Sequence, residues 1–167
     1  MRSFAIFLPL LVVALLIDGL LVTLTHGARI FDPFLVLVVA QAPHGRKTGA
    51  IVTGAIAGLI QDMVASIVFG IHFLSKVVLG YSASLIAVRL IPGQPLTGLV
   101  LLGGGTILEV VVHALAGVLL DQSFNLPTLG TLALSVVLNV GIGMPALMLI
   151  DKLAGRRPRQ AGHARGR

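Results

Sequence analysis

Long apolar runs, each closed by a short break of glycine, proline or charge, take up nearly the whole chain. The first run, Phe4 to Leu24, carries Pro9, Asp18 and Gly19 within it. A signal peptide has an apolar region of only about 7 to 15 residues, and no small-x-small cleavage site follows, so this run reads as a retained first helix. A second, weaker segment from Ile30 to Ala42 is interrupted by Asp32-Pro33. An Asp cap followed by Pro in the first turn predicts a short or broken helix there, shielded from lipid by its neighbours. Four further runs, Gly49 to Phe69, Gly70 to Ile91, Leu96 to Leu120 and Thr128 to Ile150, are each close to the roughly 20 residues that cross a hydrocarbon layer. The breaks between them are Gly70, Pro92 to Pro95, and Asp121 to Pro127. The pattern predicts an all-α, polytopic transmembrane bundle of about six helices over residues 1–151, followed by a basic, disordered cytoplasmic tail over 152–167.

Composition narrows the picture. Hydrophobic residues make up 56% of the 167 and charged residues 11%, and the mean hydropathy is +1.04. An average soluble domain carries roughly 25% charged residues. Six spans leave no room for a separate soluble domain. The chain has no cysteine, which excludes disulfides, thiolate metal sites and cysteine nucleophiles. The formal charge of +6 sits in connectors and tail, so it argues topology rather than nucleic acid. With both termini in the cytoplasm, Arg2, Arg46, Lys47, Arg89, Lys152 and the tail arginines all lie on the cytoplasmic side, and only Arg29 lies outside. The tail then fixes topology and touches anionic lipid, or docks a cytoplasmic protein.

Ionisable groups within spans cost roughly 2.5 to 3.5 kcal/mol each on insertion scales and need a partner or a reason. Asp18, Asp62, Lys76, Glu109 and His113 qualify, with Asn139 as an uncharged companion. Asp62 and Lys76 each stand about seven residues from the turn at Phe69-Gly70, so both fall about 10 Å below the outer surface and can meet as an ion pair. That pair reads first as a clamp on the hairpin, with a partner contact or a proton relay as alternatives. Glu109 and His113, four apart, share a helix face and can bond locally. They form no metal site without further ligands, and His-Glu-x-x-His is absent. His72, near the outer face, says little by itself.

Gly54 and Gly58 form a small-xxx-small face that admits a close helix, and Asp62 continues the same step. Internal and intermolecular packing both fit that stripe. Gly103-Gly104-Gly105 marks a close crossing or a kink. The phosphate-loop pattern, Gly-x-Ser-x-Gly and nucleotide fingerprints are all missing, so the sequence predicts neither catalysis nor a cofactor.

The stretch Gly54-Ala-Ile-Ala-Gly58-Leu-Ile-Gln-Asp62, then Phe69-Gly70-Ile-His-Phe-Leu, then Gly80-Tyr81, resembles the central signature of the MreD family of bacterial rod shape-determining membrane proteins. Asp62, Gly70 and Tyr81 are its most distinctive markers, and Lys76 departs from it. The resemblance is confined to residues 50–90 in motif and extends over nearly the whole chain in layout. It implies a non-enzymatic inner-membrane subunit of the elongasome that binds MreC and helps couple the filament of MreB to lateral peptidoglycan synthesis by RodA and its transpeptidase. It also implies a fold similar to the substrate-binding components of energy-coupling-factor vitamin transporters, although fold does not carry function. A transporter's small-molecule binding subunit is therefore the alternative. One tyrosine and no tryptophan are poor material for a vitamin pocket.

Overall fold

Among the described residues six helices follow one another in the order that the hydropathy pattern predicts: α1 (Arg2–Leu24), α2 (Pro33–Gln41), α3 (Lys47–Ala65), α4 (Ile71–Ala87), α5 (Pro95–Leu119) and α6 (Leu129–Leu153). The computed structural model describes residues 2–24, 30–42, 47–65, 69–90, 94–121 and 127–153. The connector at His44 to Arg46 and the tail beyond Leu153 lie outside the described residues, whereas Lys47 and Thr48 open α3.

Among the described residues three helices, Phe7–Leu24 within α1 together with α5 and α6, are long and apolar enough to cross a membrane. The apolar stretches of α3 and α4 are shorter. Large aliphatic side chains cover the outside, among them Leu16, Leu20, Val118, Leu119 and Leu129. An exterior of this kind is stable against acyl chains and unstable against water, so the chain is a membrane protein.

The second helix is shorter than the segment Ile30 to Ala42 expected for it, and it lies at the centre. Its nine residues span roughly 14 Å, about half of a hydrocarbon layer. Every residue from Pro33 to Ala40 is buried. A helix that is apolar all round must be enclosed, and α2 contacts each of the other five. Asp32 sets its start: the side-chain Oδ1 accepts from the amides of Phe34 (2.8 Å) and Leu35 (3.1 Å), and Pro33 supplies the first turn without needing an acceptor.

The most extensive contact joins α3 to α4. Gly54 lies against the Lys76 carbonyl, Gly58 against the backbone of His72 and Phe73, and Gly80 against the Ala50 carbonyl. These pairs step in opposite directions along the two helices, which therefore run antiparallel with backbone against backbone. A Cβ at Gly58 would stand 2.5 Å from the His72 carbonyl oxygen. The Gly54 and Gly58 stripe is thus internal, which decides between the two readings its spacing allowed. The triple glycine does not interrupt α5, and two of its members lie at close crossings. Gly105 receives the Leu79 side chain, Gly103 faces Val136 and Val140, and Gly104 is exposed. Across α5 and α6, Gly143 similarly receives Leu102.

Candidate functional site: a buried polar network

Lys76 is completely buried on α4, and its ammonium binds both Asp32 Oδ2 and Glu109 Oε1. The clamp expected between Asp62 and Lys76 is therefore corrected: the lysine joins α4 to the cap of α2 and to α5, rather than closing the α3–α4 hairpin. The reason is geometric. Gly54 and Gly58 press α3 so closely onto the α4 backbone that the Lys76 side chain leaves from another face of its helix. There, α2 and α5 present two carboxylates to it.

Asp62 has a different task. Its two oxygens accept from the amides of Gly70 (3.0 Å), His72 (3.0 Å) and Phe73 (2.9 Å), and Oδ1 also meets His72 Nδ1 at 3.1 Å. Gly70, the N-cap of α4, has a φ of 100° and no side chain with which to cap. The preceding helix supplies the cap instead. A carboxylate at a helix N-terminus satisfies otherwise orphaned amides and sits favourably in the helix dipole.

His113 and Glu109 do bond within their helix, but through the backbone. His113 Nδ1 donates to the Glu109 carbonyl at 2.8 Å, while the Glu109 carboxylate reaches Lys76. The His72 and His113 rings then meet edge to face, with centroids 5.0 Å apart at 75°. A carbonyl can only accept, so His113 carries its proton on Nδ1. His72 likewise donates from Nδ1 to the Asp62 carboxylate.

On the far side, Asn139 of α6 accepts from the Asp32 backbone amide at 2.9 Å through Oδ1, and its Nδ2 donates to Thr106 Oγ1 at 3.0 Å. Thr106 in turn donates to the Leu102 carbonyl at 2.9 Å. A continuous path of contacts thus runs from Asp62 through His72, His113, Glu109, Lys76, Asp32 and Asn139 to Thr106. It joins the five helices α2 to α6. Among the described residues no cluster of His, Cys, Asp or Glu has the makings of a metal site.

Of the residues singled out from sequence, Asp62, Lys76, Glu109, His113 and Asn139 belong to this path, and Gly70 starts the helix that Asp62 caps. Gly54 and Gly58 hold the hairpin close beside it. Tyr81 lies apart, half exposed on the outer face of α4. Asp18 is buried on α1, the helix the path does not include. Asp32, His72 and Thr106 are the members that sequence reasoning missed as network residues. Asp32 was legible as a helix cap, but its second role depends on an interhelical register that no local pattern contains. Scans against protein-family profiles, curated proteins and solved structures found nothing that matches this chain.

Proposed function

We propose that this protein is a non-enzymatic membrane scaffold of the MreD type, an elongasome subunit that binds MreC and helps couple MreB to peptidoglycan synthesis by RodA and its transpeptidase. One observation carries the reading: the ionisable residues along the path from Asp62 to Asp32 bind one another and helix ends. A network that ties five helices together makes a stiff platform, as a scaffold needs. A substrate site would instead aim such groups into an open pocket.

We also propose six membrane segments, counting the central half-helix, with both termini in the cytoplasm of a bacterial inner membrane. The antiparallel registers of α3 with α4, α4 with α5 and α5 with α6 put Lys47, Arg89 and Lys152 at the same end of the bundle. That clustering supports a cytoplasmic assignment for this end under the positive-inside rule.

The test is co-purification from mild detergent of tagged protein at native expression level, with bound proteins identified by mass spectrometry. Recovery of MreC and its elongasome neighbours is the expected result. An energy-coupling membrane subunit with two ATPases, or a vitamin in the bound fraction, would replace the scaffold with the transport alternative.

A further inference from the structure

A second buried polar position lies beside the network without belonging to it. Gln61 precedes Asp62 on α3 and is 1% exposed, and neither its Oε1 nor its Nε2 has a hydrogen-bond partner among the described residues. A buried amide left in that state loses its contacts with water and gains nothing in return, so the folded protein is expected to supply a partner. Thr53, Ala57 and Gln61 recur at four-residue steps and are all buried, so this face of α3 turns inward. On α1, Phe7, Leu11, Ala14 and Asp18 form the corresponding inward stripe. The two helices touch.

Asp18 comes sixteen residues after Arg2 and Gln61 fourteen after Lys47. If both helices start at one face, as proposed above, the two side chains stand about 24 and 21 Å from it and share a level in the bundle. From this convergence we propose that Asp18 and Gln61 bind a buried water molecule between α1 and α3. The proposal rests on the common direction of α1 and α3, and is independent of MreC binding.

The chemistry selects the guest. Gln61 needs a group that accepts from Nε2 and donates to Oε1. The Asp18 carboxylate, with about four lone-pair sites, can accept a further proton donor alongside its other interactions. A guest that accepts once and donates twice meets both residues. An ammonium cannot accept, a carbonyl cannot donate, and an alcohol donates only once. Water makes all three bonds, the usual number for a buried water, and fits where both residues are almost wholly enclosed.

The experiment is solid-state NMR of the full chain in bilayers. The Gln61 side-chain amide is identified by its disappearance in Gln61→Met, and two quantities are then read on the unaltered protein. Magnetisation should pass from water to the Gln61 amide, and the separation of Asp18 Cγ from Gln61 Nε2 should be about 5 to 6 Å, as one bridging water requires. A separation below about 4 Å would mean a direct bond, and either that or one too long for a single bridge overturns the proposal. So does a Gln61 amide that receives no magnetisation from water. Asp18→Leu should cut the transfer at least about threefold by removing one of three bonds, whereas Asp18→Asn keeps an acceptor and should retain most of it. Unchanged transfer in Asp18→Leu would also overturn the shared site.

Discussion

The carbonyl of Lys76 rests on Gly54, with no space for a methyl group between them. The same residue whose side chain ties α4 to α2 and α5 therefore offers its backbone to α3. Gly54→Ala should force the hairpin apart. A loss of about 1 to 3 kcal/mol is expected from overpacking, more if the backbone cannot yield. Thermal unfolding in detergent checks it, with Gly104→Ala as the neutral control because a Cβ there meets nothing.

Asp62→Ala removes the acceptor for three backbone amides at the start of α4. A destabilisation of about 2 kcal/mol is expected, the upper end of what a lost helix cap costs. Asp62→Asn keeps one acceptor oxygen and should lose less. Lys76→Met should not repair either variant, because Asp62 and Lys76 act on different partners. Repair in the double mutant would restore the hairpin clamp.

Lys76→Met alone leaves the Asp32 and Glu109 carboxylates without their shared cation inside the bundle, and a loss of about 3 to 5 kcal/mol is expected. Replacing all three charges together, as Lys76→Met with Asp32→Asn and Glu109→Gln, should recover most of it. The Asn retains a cap for α2. The wild-type melting temperature should hardly move with added salt, since screening reaches buried pairs poorly.

Asn139→Leu removes the acceptor of the Asp32 amide and the donor to Thr106 in one step. It should cost about 1 to 3 kcal/mol, as expected for stranding a buried polar group. Asn139→Asp puts a further carboxylate beside Asp32 and should be worse. If the two variants melt alike, the α6 end of the network contributes nothing electrostatic.

Tyr81→Phe should leave the melting temperature unchanged within error, since the ring is half exposed and outside the network. A surface change of this kind is worth less than about 0.5 kcal/mol. If the proposed partner MreC is recovered from the unaltered protein, weaker recovery from this variant at full stability would place that partner against the outer face of α4.

The element order was readable because apolar run length and breaker residues act locally. Asp32-Pro33 announced the α2 cap without tertiary information, and the step from Gly54 through Gly58 to Asp62 correctly marked one working face of α3. What that face meets was not readable. Gly54 fits any close helix equally well, and the choice of α4 is made by a turn at Gly70 that folds the chain straight back. Lys76 shows the same limit: residue counting sets its depth below a surface but not its rotation about the helix axis, and rotation is what turns it to Asp32 and Glu109. His72 says little in sequence because Asp62 and His113, which its ring meets, lie ten residues before it and on another helix.

The half-length of α2 bears on how the protein is made. Nine residues flanked by a carboxylate cannot settle stably into lipid alone, because its cap would be stranded at mid-depth without Lys76 and Asn139. Those two residues are synthesised 44 and 107 positions after Asp32. The partners of this cap are therefore complete only once α4 and then α6 have been synthesised. The centre of the bundle is thus the last part to acquire its partners, and a chain truncated before α6 should turn over faster than the full chain in a pulse-chase measurement.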